Sequence, residues 1–236
     1  MNNNILIVKN STTEGPGLLE VLLRERTTGY SMIDLDSGDK LPPLDNLKAI
    51  VVLGGPDSAN DENEKMRGEL EFIRKVLAAK IPYLGICLGL QTLVKAAGGK
   101  VIKSPVKEIG FRDPDNNLFA VDLTDEGRKD PLFGGLGNAL KVFHLHGETI
   151  EPGEGMTLLA SGKFCRNQVV RVGENAYGIQ CHFELTEEMF EEWINTDPDL
   201  MQFDSEALKK DFKLMEKDYF KTGKRLLRNF LDIAGL

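Results

Sequence analysis

The sequence predicts an α/β fold in which helices cover both faces of an open, mostly parallel sheet. Two observations predict it. Through the first hundred residues, apolar runs of strand length alternate with patterns of helical period. Those runs are four to eight residues long, as strands that alternate with covering helices in a parallel sheet are. A third observation extends the picture. Between residues 100 and 180 the runs are extended and separated by Gly, Pro, Asp and Asn. This predicts antiparallel strands added at one side of the sheet, not a second domain.

In order, residues 5–8 (Ile-Leu-Ile-Val) read as a buried strand, 10–17 as a turn-rich stretch and 18–24 as a helix. Residues 31–35 make a second strand and 49–53 a third, which stops at Gly54-Gly55-Pro56. Residues 60–79 read as a charged amphipathic helix, 81–86 as the fourth strand and 88–97 as the next helix. Further strands are expected at 119–123, 140–145, 157–161, 169–172 and 176–180. Residues 186–195 form a helix with Thr186 as its N-cap and Glu187 and Glu188 in the first turn. The C-terminal stretch is one long helical pattern, with Gly223 as a candidate break. Leu208, Phe212, Met215, Tyr219, Leu226, Phe230 and Ile233 share one face of it, expected to pack on the body. Residues 1–236 are expected to form a single domain, with a core at about 4–190 and C-terminal helices at about 203–233.

The chain carries 29 Lys and Arg against 37 Asp and Glu, a net charge of −8, which argues against binding a nucleic-acid backbone. No apolar run approaches the ~20 residues that span a bilayer. The N-terminus has neither a basic segment nor a long apolar one, so no secretory signal is expected. Three cysteines, an odd number without a Cys-x-x-Cys pair, suggest free thiols in a reducing, cytoplasmic compartment.

The residues that carry chemistry begin at Gly85-Ile86-Cys87-Leu88-Gly89. A buried strand ends there and a helix begins at once. Such an elbow holds its central residue in a strained conformation, and the flanking glycines leave room for it. Cys87 is thereby exposed at the carboxyl edge of the sheet, where open α/β folds bind ligands. It also sits at a helix N-terminus, which favours negative charge. A cysteine nucleophile needs a base, and the base an orienting group. The chain has three histidines, His144, His146 and His182. His182 and Glu184 lie two apart in an extended segment and point to one face, so Glu184 is placed to fix the imidazole.

These motifs together resemble the class I, triad-type glutamine amidotransferases. Val52-Leu53-Gly54-Gly55-Pro56 is similar to that family's oxyanion strand end. Lys141 to Glu148, reading Lys-Val-Phe-His-Leu-His-Gly-Glu, is similar to its substrate-contacting His-Gly segment. Residues 108–110, 130–133 and 158–161 resemble the stand-alone group similar to the amidotransferase domain of GMP synthase. The resemblance implies a flavodoxin-like sheet and a thioester on Cys87, with His182 as base and Glu184 orienting it. It implies an oxyanion hole from the N–H groups of Gly55 and Leu88. It also implies substrate contacts from Gln91, Leu145, His146, Gly147 and Glu148.

Phe183 stands where many members have proline, but the His-x-Glu spacing is intact. Cys181 reads as a packing residue, and Cys165 has no assigned role. No cofactor is expected. No metal is expected either, because no third ligand is evident beside His144 and His146. The Ser-Gly-Gly-x-Asp-Ser pyrophosphate loop of a full GMP synthase is absent, so no ATP step is expected in this chain. Glutamine hydrolysis to glutamate and ammonia for a separate synthetase partner is the expected function. A free-standing hydrolase of γ-glutamyl compounds is the alternative, and a non-catalytic regulator on the same scaffold a third.

Overall fold

A computed structural model describes residues 5–236. Residues 1–4, the last of which opens the expected core, lie outside the described residues. In chain order the elements are β1 (Ile5–Lys9), α1 (Leu18–Glu25), β2 (Tyr30–Asp34), β3 (Ala49–Val52), α2 (Glu64–Ala78), β4 (Tyr83–Ile86) and α3 (Leu88–Ala96). There follow β5 (Lys100–Gly110), β6 (Ala120–Leu123), β7 (Ala139–Lys141), β8 (His144–Glu151), β9 (Met156–Gly162), β10 (Val169–Val172) and β11 (Ala176–Ile179). The helices α4 (Glu187–Thr196) and α5 (Ser205–Ile233) close the described chain.

Nine strands form one sheet in the order β2-β1-β3-β4-β11-β10-β9-β6-β7. Pairing is parallel from β2 to β11 and antiparallel from β11 outward. The α/β class with antiparallel strands added at one edge is therefore the observed architecture. Alternation within the strands assigns the two faces. Ile5, Ile7, Ala49 and Val51 pack with Leu19 and Leu23 of α1 and with Leu226 and Phe230 of α5. Leu6, Val8, Ile50 and Val52 pack with Ile73 and Val76 of α2 and Leu93 of α3. Each such fully buried side chain contributes about 1.5–3 kcal/mol, so neither helical layer is dispensable.

Strand order reverses direction at β1, whose neighbours are β2 and β3. The loops that leave β1 and β3 part at that point and open a crevice above the sheet.

Several elements differ from expectation. Residues 140–145 are not one strand. The chain leaves β7, which pairs with β6, and re-enters as β8, which pairs with β5 in a separate two-stranded ribbon. The 11-residue β5 is absent from the expected strands. It contains Pro105 and shifts register between Lys103 and Glu108, which blurs its alternation. The helix expected from residue 60 begins at Glu64, because the Asn63 side chain accepts from Met66 N at 2.8 Å and fixes the cap. Finally, α5 runs unbroken through Gly223. A Cβ there would overlap the carbonyl oxygen of Phe183, so the glycine serves close approach, not a break.

Candidate active site

The crevice at the reversal of strand order is a cavity of about 590 Å³. Its floor is the β4–α3 elbow. Cys87 has φ 52° and ψ −106°, a left-side conformation that L-residues rarely adopt. The neighbouring glycines make it possible. A Cβ on Gly85 would overlap the Gly89 carbonyl, and one on Gly89 would overlap the Val52 carbonyl. The strand and helix are thus pressed too close for any side chain, and Cys87 is turned outward. Cys87 Sγ lies 3.8 Å from the Leu145 carbonyl and accepts from Gln180 Nε2 at 3.7 Å.

His182 lines the same cavity. Its backbone N–H donates to the Phe143 carbonyl at 2.9 Å, and its carbonyl accepts from Tyr219 Oη of α5 at 3.0 Å. Its Nδ1 is 2.6 Å from Glu184 Oε1, while Glu184 Oε2 accepts from Phe183 N at 2.9 Å. The Glu184 carbonyl in turn accepts from Leu18 N at the start of α1, at 2.8 Å. With Nδ1 taken up by the carboxylate, Nε2 is left buried and without a hydrogen-bond partner. Burial opposes charge on this imidazole, but the Glu184 carboxylate, with a further contribution from Cys87, outweighs it and holds His182 well above its ordinary pKa.

Gly55 lines the cavity and Leu88 opens α3, where the first N–H groups of a helix have no intrahelical acceptor. The expected substrate contacts Gln91, Leu145, His146, Gly147 and Glu148 all border the cavity. Gln91 Nε2 reaches the Glu148 carbonyl at 3.3 Å and Gln180 Oε1 at 3.4 Å, tying α3 to the ribbon. Glu148 accepts from Ser58 Oγ at 2.8 Å.

His146 borders the cavity and is buried, and here the expectation about ligands is corrected. A third donor does stand beside the histidine pair. Glu108 Oε2 lies 2.9 Å from His146 Nε2 and 3.7 Å from His144 Nδ1, and the three could hold a metal ion. β5 carries this residue, so the missed strand concealed it. Hydrogen bonds from neighbouring residues orient the group. His146 Nδ1 donates to the Glu148 carbonyl at 3.0 Å, and Gln168 Nε2 donates to Glu108 Oε2 at 2.8 Å. Burial and the neighbouring histidines hold His144 well below its ordinary pKa, in the neutral form. The network fixes the backbone of residues 145–148 from behind.

All three cysteines are free and buried. Cys181 is fully inside the core, and burial pushes its thiol up, as suits a packing residue. Cys165 pairs with Thr149 Oγ1 at 2.9 Å. No helix among the described residues is long and apolar enough to cross a membrane.

This arrangement agrees with what the chain is similar to. A family model described as glutamine amidotransferase class-I matches residues 18–196. The chain belongs to that family. Among the chain's relatives is the glutamine amidotransferase-like protein YfeJ of Salmonella typhimurium, 35% identical over 161 residues. That match covers 66% of the chain and 64% of the relative. A glutamine-hydrolyzing GMP synthase subunit of Sulfolobus acidocaldarius is 29% identical over 159 residues, covering 66% of the chain and 78% of the relative. A glutamine amidotransferase from Thermotoga maritima superimposes with a TM-score of 0.87 at 27% identity, over the whole of both chains.

Several residues at the cavity or against Cys87 were not foreseen. Gln180 was open to inference, since 180, 182 and 184 alternate onto one face. Trp193 and Asp197 come from α4 and its C-terminal cap, and Glu14 from the loop after β1. Nothing local in the sequence marks these three. A Cβ on Gly54 would stand 2.5 Å from Glu14 Oε2 and 3.5 Å from Cys87 Cβ, which locates the Glu14 carboxyl close above the elbow. Burial, with the like charges of Glu184 and Asp197, pushes Glu14 up to about 7 against the opposing pull of His182.

Proposed function

We propose that the chain hydrolyses the γ-carboxamide of glutamine or of a γ-glutamyl compound through a thioester on Cys87. Sγ attacks the amide carbon with the thiol proton held at His182 Nε2, where the Glu184 carboxylate favours it. The charge that develops on the amide oxygen is received by the N–H groups of Gly55 and Leu88, each worth ~3 kcal/mol in such a role. The C–N bond then breaks, and His182 returns the proton to the departing nitrogen. Water attacks the thioester with His182 as base, releasing glutamate and restoring the thiol.

The observation that carries this reading is His182 Nε2, buried and unpartnered in the cavity that Cys87 floors. Residues from 14 to 219 contribute to the site, which supports reading the chain as one domain. Three free thiols support a cytoplasmic setting. The relatives named as glutamine-hydrolyzing GMP synthase subunits support delivery of ammonia to a separate synthetase. One observation favours the second reading, a free-standing γ-glutamyl hydrolase. The cavity continues past His182 to the end of α4, more room than departing ammonia needs.

The test is intact-mass and peptide analysis after treatment with a glutamine-mimicking electrophile. One adduct is expected, on Cys87, and none in Cys87→Ala. Labelling of Cys165 or Cys181 in its place rejects the assignment. His182→Asn should retain fold and lose turnover, and near-normal turnover in that variant removes His182 as the base.

A further inference from the structure

Two of the chain's three histidines take no part in the proposed chemistry, and the β5–β8 ribbon brings both against one carboxylate. His144 and His146 lie two apart on β8 and so share a face. Glu108 on β5 is the cross-strand partner of His146. Their donor atoms converge. Glu108 Oε2 is 2.9 Å from His146 Nε2 and 3.7 Å from His144 Nδ1, and the two ring nitrogens are 3.2 Å apart. All three residues are buried.

The hydrogen bonds around the group fix what meets there. The Glu148 carbonyl can only accept, so His146 Nδ1 carries the proton of that bond. In the neutral ring Nε2 then holds a lone pair, and it faces a carboxylate oxygen and a second ring nitrogen. Among the described residues, the ion-pair contacts of Glu108 are with these two histidines and with no lysine or arginine. Three electron-rich atoms so placed call for a positive charge between them, either one more proton or a metal ion. The spacing selects the metal. Ligand atoms about 2.0–2.1 Å from a tetrahedral zinc ion stand about 3.3 Å apart, and the three separations bracket that value. A proton on Nε2 is directed at one acceptor, whereas these atoms surround a common centre. The supporting shell fits as well. A ligating histidine typically donates its other N–H to a carbonyl, as His146 does to Glu148, and Gln168 Nε2 holds Glu108 Oε2 at 2.8 Å. That amide is fully buried, and its Oε1 lacks any partner, an independent sign of a missing positive group beside Glu108. Phe119 closes the far side, edge-on to His144 at 4.7 Å.

We propose that Glu108, His144 and His146 bind one divalent ion of the zinc class. Two imidazoles and one carboxylate suit zinc, where magnesium and calcium prefer oxygen donors alone. His146 borders the cavity, which gives the ion a way in. The ion clamps β8 to β5 behind residues 145–148, the strand segment whose Leu145 carbonyl lies 3.8 Å from Cys87 Sγ. Its role is to brace that wall, and no bond-breaking step passes through it.

The test uses the full chain carrying Cys87→Ala, because the thiol beside His182 competes for zinc. Equilibrium dialysis should show one bound Zn²⁺. Co²⁺ in its place should give visible d–d bands without a thiolate charge-transfer band. On zinc addition, the nitrogen resonances of His146 Nε2 and His144 Nδ1 should move to metal-bound positions while His182 stays unchanged. Zinc should raise the melting temperature, and Glu108→Gln or His144→Asn on the same background should weaken binding at least about 100-fold and abolish that rise. Absence of saturable binding overturns the proposal. So does a thiolate band, which would place the metal elsewhere. So does a His146 ring that keeps protons on both nitrogens in excess zinc, since a proton would then hold the place assigned to the metal. The cobalt and nitrogen readouts use unaltered ligands and decide the matter even if a ligand variant misfolds.

Discussion

The parallel and the antiparallel halves of the molecule build the cavity by different means. In the parallel half, position follows from local backbone sterics. Cys87 projects because Gly85 and Gly89 let β4, α3 and β3 come into backbone contact, with both glycines two residues from the cysteine. In the antiparallel half, position follows from ties that reach across the chain. His182 is held by Phe143 and by Tyr219, and the strand segment 145–148 by Glu108 and Gln91. A site with one wall set by short-range sterics and the other by long-range bonds should fail abruptly on the first side and by degrees on the second.

The largest effect expected is on chemistry itself. Cys87→Ala should lower glutamate release by at least about 10⁴-fold with little change in melting temperature. A smaller fall would mean that the elbow positions something other than the nucleophile.

Gly89→Ala comes next. Its Cβ would overlap the Val52 carbonyl, a backbone atom with nowhere to go. We expect a loss of roughly 3 kcal/mol or more in denaturant unfolding. A mild loss would show that the elbow can open, and would break the contrast between the halves.

Glu69 sharpens it from another direction. This α2 residue is fully buried in the parallel half, and both carboxylate oxygens lack partners. Burial pushes it from 4.5 up to about 7. Below pH 4.5 folded and unfolded chains both hold the proton, and Glu69→Gln should match the wild type. Between pH 4.5 and 7 the unfolded chain releases it first, so the wild type loses stability as pH rises. Above pH 7 the variant should be the more stable by roughly 3 kcal/mol. Unfolding curves at pH 4 and pH 8 measure the difference, and equal gaps at both would show that the carboxyl is solvated.

The smallest effect is expected in the other half. Tyr219→Phe removes one hydrogen bond to the His182 carbonyl and should lower stability by about 1 kcal/mol. Turnover should fall a few-fold, because Phe143 still holds the same residue. A collapse of activity would mean that α5 alone positions the base.

What could be read in advance divides along the same line. The elbow, its glycines and the His182–Glu184 spacing are local patterns, and short-range sterics make local patterns informative. The strands β1, β3 and β4 announce themselves because burial on both faces leaves only apolar residues. By contrast, β5 carries a proline and a register shift, so neither period nor propensity exposes it. With it hidden, Glu108 could not be matched to the two histidines it faces. Glu14, Trp193 and Asp197 reach the cavity through the order of strands and the path of α4, which no spacing encodes. Gly223 shows the opposite error. A glycine in a helix suggests a break, but here it marks where another backbone passes.

That passing backbone has a consequence for synthesis. Phe183 lies against Gly223, and the carbonyl beside it is held by Tyr219, so the histidine's seat is finished by a helix translated some forty residues later. A nascent chain leaving the ribosome thus presents its Cys87 thiol before His182 has its full anchorage. A protein clipped ahead of α5 loses this whole seat and not one bond of it, and is expected to keep its cysteine while losing more activity than Tyr219→Phe does.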